Sequence, residues 1–335
     1  MGGDSAPAVV VEGALDALDQ TRGRFAVLLV GREEGVEQEL SRSPGRAAPH
    51  RSSGALAVIH APEVIGMDDH PNAALRTKKG SSISVGLEAH RDGKADAFVS
   101  AGNTGAVLSA STLILGRIKG VSRPTIGALV PTVQSPCLLV DAGTNVDCRP
   151  RHLYEFGVMG SIYVSAMLGK ERPAIGLLSI GEEDTKGNET TLQAFALLRK
   201  SGLNFIGNVE GRDILKGKAD VVVCDGFVGN ILLKFGESIP AFLKTKFSRY
   251  ASTGIVPTLV ALIARRGMRS VLRELDYQEH GGVPLLGVNG VSIIGHGGST
   301  PRAIKNMIIR AEEMVHRRVH QRIQESLQAS MHGEE

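Results

Sequence analysis

Residues 220–235 read DVVVCDGFVGNILLKF, and this stretch contains the unit from which much of the chain is built. A short apolar run is followed by a turn of Asp and Gly and then by a run with helical spacing. Apolar runs of this length that lead through a turn into a helix are typical of parallel strands buried on both faces. The stretch therefore predicts a strand, a loop at its carboxyl end and a helix that begins at the loop.

The same succession occurs five more times along the chain. The stretches are AFVSAGNTGAVLSASTLI at 97–114, CLLVDAGTNVDCRPRHL at 137–153, IGLLSIGEEDTKGNETTLQAF at 175–195, NFIGNVEGRDIL at 204–215 and VSIIGHGGSTPRAIKNMI at 291–308. Strands that alternate with helices predict an α/β fold with a mainly parallel sheet covered by helices. Since ligands of such sheets bind at the carboxyl ends of the strands, we expect the six loops to form one site.

Composition limits the class of protein. The 335 residues are 42% hydrophobic, carry a formal net charge of +3 and include 4% aromatic residues and no Trp. This small charge and the scarcity of stacking residues argue against a nucleic-acid surface. Three Cys residues without a CxxC pair, and no signal-peptide pattern, favour a cytoplasmic protein without disulfides. The apolar stretch 255–264 is about half of the roughly 20 residues that a membrane span needs.

Three regions depart from the strand, loop and helix succession. Residues 41–54, SRSPGRAAPHRSSG, are basic and rich in Pro, Gly and Ser, which predicts an exposed mobile loop. Residues 237–280 predict a hairpin of two helices inserted before the last strand of a single α/β domain that spans 1–335. A long helix is expected from Pro301 to Leu327.

The second helix of the insert is amphipathic. Its apolar face carries Val256, Leu259, Val260 and Ile263, and its other face carries Arg265, Arg269 and Arg273. A helix of this kind suits a dimer contact, an anionic lipid surface or an acidic partner protein. The pattern leaves these three interpretations open.

Several familiar active-site motifs are absent from the sequence. There is no GxGxxG, GxxxxGK[ST], GxSxG or HExxH, which argues against the usual nicotinamide dehydrogenases, P-loop NTPases, serine hydrolases and zincins. His316 and His320 lie one helical turn apart without a third ligand, so a solvated helix face is preferred to a metal site. Neither a metal nor a cofactor is expected.

Glycine loops that begin helices are natural anion sites, because the first amides and the helix dipole favour negative charge. In GHGGSTPRAI, Thr300 predicts the N-cap and Pro301 the first helical residue, which leaves the residues 297–299 to approach a ligand. A capped turn without a ligand has the same pattern. Six such loops at one sheet edge favour phosphate.

Three further residues have a structural and a functional interpretation. Lys186 in GEEDTKGNE suits a phosphate contact, but it also suits an ion pair with Glu182, Glu183 or Asp184. Asp225 either caps the following helix or orients a reacting group. For Cys224, which follows an apolar strand and has no neighbouring His or Lys, burial is preferred to nucleophilic catalysis.

Eight loop motifs, taken in chain order, resemble the bacterial phosphate acyltransferase family of phospholipid synthesis across essentially the whole chain. They are MGGDSAP, SAGNTGA, GRIKGVSRP, DAGTNVDCRP, GEEDTKGNE, NFIGNVEGRD, DVVVCDGFVGN and GHGGS. The resemblance implies a three-layer α/β/α scaffold of the isocitrate and isopropylmalate dehydrogenase type. It also implies a reaction in which acyl-[acyl carrier protein] and inorganic phosphate give acyl phosphate and the free carrier.

The resemblance has further implications for partners and for the start of the chain. It implies a cytoplasmic homodimer, loosely attached to the inner face of the membrane, whose product passes to a membrane glycerol-3-phosphate acyltransferase. Family members usually carry a short apolar strand directly before Met-Gly-Gly-Asp, so we expect the first strand to be truncated here. Thr144 stands where the family commonly has Ala.

Phosphate can attack a thioester without a strong base, so positioning is the main task of such a site. The catalytic candidates are Lys186, Asp225, Asn230 and His296, with His296 as the general acid that assists the leaving thiolate. Asp141 and Asp225 are expected to orient Lys186 or the amides, or to bind a phosphate proton. The candidates for contacts with phosphate or thioester are Gly3, Asp4, Asn103, Thr104, Gly105, Asp141, Asn145, Asn188, Gly297, Gly298 and Ser299. The candidates for contacts with the carrier protein or the membrane are Arg265, Arg266, Arg269 and Arg273.

Three alternatives belong beside this hypothesis. A phosphotransacetylase that uses coenzyme A would share the phosphate chemistry. A metal-dependent decarboxylating dehydrogenase would need a carboxylate cluster, which the sequence does not offer. A non-catalytic membrane scaffold would explain the basic helix but not the six intact polar loops.

Overall fold

The computed structural model describes residues 2–274, 279 and 281–332, and it is an α/β structure. The strands are β1 Val27–Gly31, β2 Leu56–His60, β3 Ala97–Ser100, β4 Thr125–Val130, β5 Cys137–Val140, β6 Ile175–Leu178, β7 Phe205–Val209, β8 Val221–Val223, β9 Val283–Leu286 and β10 Val291–Ile294. The helices are α1 Ala8–Thr21, α2 Glu33–Leu40, α3 Pro44–Ser52, α4 Pro71–Thr77, α5 Ser82–Arg91, α6 Thr104–Ile114, α7 Pro150–Leu168, α8 Glu189–Lys200, α9 Gly211–Ile214, α10 Gly226–Ala251, α11 Ile255–Glu274, α12 Pro301–His316 and α13 Val319–His332.

The chain divides into two compact units. The first unit comprises Met1–Gly127, Val158–Arg172 and His280–Glu335, and the second comprises Ala128–Gly157 and Pro173–Glu279. The chain passes from the first unit to the second within β4. The expectation that residues 1–335 form a single α/β domain stays a prediction.

The first unit contains a parallel pair, β1 and β2, and the strand order β3-β10-β9-β4. Strand β10 is parallel to β3 and antiparallel to β9, which is itself antiparallel to β4. Helix α1 packs on α12, and its buried Leu15 and Leu18 form a core with Leu29 of β1. The sequence did not predict β9, because it follows the helical hairpin and leads directly into β10 without a helix of its own.

The second unit has the strand order β4-β5-β8-β6-β7. The pairs β5–β8, β8–β6 and β6–β7 are all parallel, and every residue of β5 and β8 is buried. Burial on both faces explains why these strands are continuously apolar in sequence. All six apolar runs predicted as strands form strands, and the α/β class with a mainly parallel sheet is confirmed.

Residues 41–54 are an exception, because the predicted mobile loop contains the helix α3. Pro44 lies in its first turn, and the guanidinium of Arg46 contacts three carboxylates of α1, each at 2.7 Å. The carboxylates belong to Glu12, Asp16 and Asp19. Composition indicated a loop, but a charge network with a distant helix orders the segment.

Two helix boundaries also differ from the prediction. The first helix of the hairpin does not begin at residue 237, because α10 runs without interruption from Gly226 to Ala251. The last helix is divided into α12 and α13, since Arg318 adopts a left-handed conformation with φ of 54°. No helix in the described part of the chain has the length and hydropathy that crossing a membrane requires.

A cavity of about 500 Å³ lies in the first unit between β1 and β3. Its walls include Leu28 of β1 and Val99 of β3, with Gly86 of α5 and Ile308 of α12 on the helices that cover it. Strand β1 pairs with β2 and strand β3 with β10, and no strand in the described ranges pairs with their other edges. Gly2 also lines this cavity, so the start of the described chain lies beside it.

Candidate functional site

The carboxylate of Asp141, fully buried at the end of β5, organises the loop that follows it. One oxygen accepts hydrogen bonds from the N–H groups of Gly143 and Thr144, at 3.1 and 3.0 Å. The other accepts from the backbone and side-chain nitrogens of Asn145, at 2.7 and 2.8 Å. Burial raises the pKa of Asp141, and these hydrogen bonds oppose the rise. Of the roles predicted for Asp141, the geometry supports orientation of amides.

The beginning of α10 packs directly on this loop. The N–H of Gly226 donates to the carbonyl of Asn145 at 2.8 Å, and a methyl group on Gly226 would lie 2.7 Å from the nitrogen of Asn145. A methyl group on Gly229 would overlap the carbonyl oxygen of Asp141. Only glycine at these two positions allows the helix to begin so close to the loop.

Asp225 is the N-cap of α10, as one of its two sequence interpretations states. Its side chain accepts a hydrogen bond from the N–H of Val228 at 2.9 Å. The neighbouring Cys224 is buried, and burial raises the pKa of its thiol well above the ordinary value. A thiol with a raised pKa is a poor nucleophile, so the preference for packing over catalysis agrees with the structure.

Two polar groups at the start of α10 remain available to a ligand. Asn230 is exposed, and its side-chain oxygen would lie 3.2 Å from a methyl group on Gly143. Across the described ranges, its amide has no hydrogen-bond partner, and neither does the N–H of Phe227. The other early amides of α10 are used within the protein, which leaves fewer anion donors here than the glycine loop suggested.

Lys186 lies in the loop 179–188, between β6 and α8, and its side chain is exposed. Two of the three acidic neighbours that could have paired with it are engaged elsewhere: Glu182 with Lys218 at 2.7 Å and Asp184 with Arg199 at 2.6 Å. The third, Glu183, forms no ion pair with Lys186 in the described part of the chain. Within the part of the chain that the structure describes, the Lys186 ammonium has neither an ion pair nor a hydrogen bond. The structure therefore favours an ammonium available to an anion over the paired surface lysine.

The backbone of the Lys186 loop is held by several contacts. Asn188 is the N-cap of α8, accepting from the N–H of Thr191 at 2.9 Å, so this side chain has a structural role. The hydroxyl of Ser179 donates to the carbonyl of Lys186 at 3.1 Å. Asn208, on β7, donates to the carbonyl of Glu183 at 2.8 Å. The sequence pattern does not point to Asn208, because an isolated Asn within a strand carries no local signal.

In the first unit, the turn Gly2–Asp4 packs against the turn after β10. The N–H of Asp4 donates to the carbonyl of Gly297 at 2.8 Å. Gly3 has φ of +102°, and a methyl group on it would lie 3.0 Å from the same carbonyl oxygen. The exposed Asp4 carboxylate lies beside Gly297 and Gly298. The structure thus brings together two motifs that are nearly 300 residues apart.

His296 is exposed in this turn, and its ring accepts a hydrogen bond through Nδ1. The donor is the N–H of Gly298, at 3.1 Å. In a neutral imidazole this bond places the proton on Nε2. The Ser299 hydroxyl donates to the His296 carbonyl at 2.6 Å and so closes the turn. Thr300 and Pro301 occupy the N-cap and first helical positions of α12, as predicted.

Asn103 is almost completely buried and has a bracing role in the first unit. Its Oδ1 caps α6 by accepting from the N–H of Ala106 at 3.0 Å, and its Nδ2 lies 3.0–3.2 Å from the carbonyls of Gly66, Met67 and Asp69. Thr104 and Gly105 supply the first two amides of α6. Gly105 is required because a methyl group there would lie 2.7 Å from the ring of Pro71.

The predicted site residues thus form two groups. The first unit holds Gly3, Asp4, Asn103, Thr104, Gly105, His296, Gly297, Gly298 and Ser299, and the second holds Asp141, Asn145, Lys186, Asn188, Asp225 and Asn230. Arg265 is exposed on α11, whereas the side chains of Arg266, Arg269 and Arg273 lie outside the described residues. In the described ranges there is no group of three His, Cys, Asp or Glu side chains that could bind a metal ion.

Comparison with solved structures supports the fold. The chain is similar to a branched-chain phosphotransacylase from Enterococcus faecalis, with a TM-score of 0.60, 14% identity and coverage of 94% of this chain and 97% of that one. A phosphotransacetylase from Streptococcus pyogenes gives a TM-score of 0.55 at 16% identity, with coverage of 93% and 99%. These similarities are compatible with the predicted three-layer α/β/α fold.

Sequence comparisons identify the family. The family model described as fatty acid synthesis protein matches residues 1–322. The phosphate acyltransferase of Pelotomaculum thermopropionicum is 48% identical over 319 residues, which are 95% of this chain and 91% of the relative. That of Chlorobaculum tepidum is also 48% identical, with coverage of 95% and 97%. The chain therefore belongs to the fatty acid synthesis protein family of phosphate acyltransferases.

Proposed function

We propose that the chain transfers an acyl group from acyl-[acyl carrier protein] to inorganic phosphate, forming acyl phosphate for phospholipid synthesis. A phosphate oxygen attacks the thioester carbon, so that one C–O bond forms as the C–S bond breaks. The electron pair of the C–S bond leaves on the carrier's sulfur, which then takes up a proton. The reaction needs neither a redox step nor a metal ion.

The observation that carries this proposal is that the ammonium group of Lys186 has no ion pair or hydrogen bond among the described residues. This cation is exposed and two of its three acidic neighbours are paired elsewhere, so its charge is available to phosphate. Asn230 offers an amide for the same purpose, beside the loop that Asp141 makes rigid. Groups that are held in place before the substrate arrives lose little conformational freedom when they bind the transition state. When the nucleophile needs no activation, this positioning is the main source of catalysis.

His296 can stabilise the leaving sulfur. With Nδ1 accepting from the N–H of Gly298, the neutral ring carries its proton on Nε2. A neutral imidazole does not give this proton to a thiolate, so we assign to Nε2–H a hydrogen bond to the departing sulfur, which then takes its proton from solvent. Because a cysteine-like thiol has a pKa of about 8.5, the thiolate is already a fair leaving group and the assistance is modest.

The helical hairpin of α10 and α11 supports the partners that belong to this proposal. Val256, Leu259, Val260 and Ile263 are between 45% and 82% exposed, which is unusual for so many large apolar side chains on one helix. An apolar face beside the exposed Arg265 suits a homodimer contact and peripheral attachment to the inner face of the membrane. The positive charge of Arg265 suits the acidic carrier protein. The acyl phosphate would then reach a membrane glycerol-3-phosphate acyltransferase.

The choice of acyl donor tests this function against the phosphotransacetylase alternative. We would incubate the purified protein and phosphate with palmitoyl-[acyl carrier protein] or with acetyl-coenzyme A, and measure the acyl phosphate formed. Our proposal predicts turnover of the carrier-bound long chain and little turnover of the short coenzyme A ester. The opposite preference would establish the alternative, and activity with neither substrate would support a scaffold.

A further inference from the structure

We infer that Lys218 and Arg199 are positioning residues that protect the charge of Lys186 by binding the carboxylates of its own loop. This inference rests on the proposed phosphate contact of Lys186. Neither residue belongs to the loop 179–188, and neither is adjacent to it in sequence. Arg199 lies on α8 and Lys218 in the connection between α9 and β8, and each contacts one carboxylate of the loop.

The acidic residues of the loop pose a difficulty for an anion site. Glu182, Glu183 and Asp184 all lie within four residues of Lys186, and a free carboxylate there would repel phosphate or pair with the ammonium. The Nζ of Lys218 lies 2.7 Å from Glu182, and the hydrogen bond to Glu182 raises the pKa of Lys218. The guanidinium of Arg199 lies 2.6 Å from Asp184. Two of the loop's three carboxylates are thereby paired with cations other than Lys186, and the Glu183 carboxylate is the one without an ion pair among the described residues.

Hydrogen bonds to the loop backbone help to hold the two paired carboxylates in place. The carbonyl of Glu183, between the two paired residues, accepts from the buried Asn208 at 2.8 Å and from the N–H of Lys186 at 3.0 Å. The loop is therefore anchored at its backbone and at the carboxylates on both sides of Glu183. Lys186 is the cation of this loop that remains without a partner among the described residues.

The test is a charge rescue measured as the Michaelis constant for phosphate. Lys218→Met releases Glu182, and we expect the KM for phosphate to rise about twofold to fivefold with little change in kcat, the size of effect that exposed ion pairs support. Adding Glu182→Gln to this variant removes the freed carboxylate and should restore the KM. Arg199→Met and its rescue by Asp184→Asn should behave in the same way.

Lys234→Met is the matched control, because Lys234 is an exposed lysine of the second unit that pairs with Glu237 at 2.8 Å rather than with the loop. Its KM for phosphate should equal that of the unmodified protein. If Lys218→Met leaves the KM unchanged, or if Glu182→Gln fails to restore it, the inference is overturned.

Lys186→Met separates the inference from the proposed function. A raised KM in Lys186→Met together with a normal KM in Lys218→Met would overturn only the positioning role. A normal KM for phosphate in Lys186→Met would show that Lys186 does not contact phosphate, and the inference would then have no basis.

Discussion

The backbone of Gly229, on α10, touches the carbonyl oxygen of Asp141 so closely that no larger residue fits between them. The Sγ of Cys224 would also lie 3.0 Å from a methyl group on Gly229. A methyl group at this position would therefore meet both the loop that begins at Asp141 and the residue that follows β8. The position of α10, and hence of Asn230, depends on this contact.

Gly229→Ala should destabilise the protein and displace Asn230. The added methyl group must push α10 away from Asp141, and overpacking of this kind costs about 1–3 kcal/mol of unfolding free energy. Gly236→Ala is the matched control, because Gly236 lies in the same helix with nothing within 4 Å of its methyl position. That variant should gain up to about 1 kcal/mol from helix propensity. Urea unfolding of both variants measures the difference, and equal stabilities would contradict the role of this contact.

His296→Leu should lower kcat for the acyl carrier substrate while leaving the KM for phosphate nearly unchanged. A hydrogen bond to a charged group is worth about 1.5–3 kcal/mol, and since the thiolate is already a fair leaving group we expect about a tenfold loss. The effect should diminish with a thioester whose thiol is more acidic, since such a leaving group needs less stabilisation. His316→Leu, at the far end of α12, is the control and should keep full activity. An equal loss with both thioesters would contradict the assignment of a hydrogen bond to the leaving sulfur.

Arg265→Glu should raise the KM for acyl carrier protein and leave the KM for phosphate unchanged. Because charge at the rim of an interface acts mainly on association, we expect the KM for the carrier to rise roughly threefold to tenfold at low salt and less at high salt. Lys200→Glu reverses an exposed cation on α8 and is the control. An unchanged KM for the carrier at low salt would show that the α11 face is not part of the docking surface.

A short apolar strand added ahead of Met1 should stabilise the first unit. The cavity between β1 and β3 is bounded by two strand edges without partners in the described chain, and the helices α5 and α12 cover it. An inserted parallel strand would satisfy backbone groups on both edges and bury its side chains on both faces.

We expect five or six Val and Ile residues placed there to raise Tm by about 5 °C or more and to slow hydrogen exchange in β1 and β3. The same segment with alternate residues replaced by Pro cannot pair with the edges and should have no effect. Equal Tm values for the two extensions would show that the cavity does not accept a strand.

Sequence periodicity predicted those parts of the site that follow directly from a strand end. Asp141, Asp225 and the glycines after them come immediately after continuously apolar strands, so their location required no long-range information. Capping by Asp225 and Thr300 was predictable for the same reason, since the pattern of an N-cap is local.

The contacts that sequence could not predict are those between distant segments. Lys218 is 36 residues from Glu182, and only the fold brings them within 2.7 Å. The side chain of Asn103 looked like a ligand donor, but it binds three carbonyls in the segment 66–69. Polar composition around residue 46 indicated a loop because the three carboxylates that bind Arg46 lie about 30 residues away in α1.

The most direct test of the central claim follows the oxygen atoms of phosphate. We would mix the protein with palmitoyl-[acyl carrier protein] and fully ¹⁸O-labelled phosphate, omit phosphate in a parallel sample, and analyse products and protein by mass spectrometry. Attack by phosphate on the thioester predicts acyl phosphate that retains every labelled oxygen, an equal amount of free carrier, and no carrier release or acylated protein without phosphate. Release of carrier with fatty acid as the only acyl product, or release that does not depend on phosphate, would contradict the account.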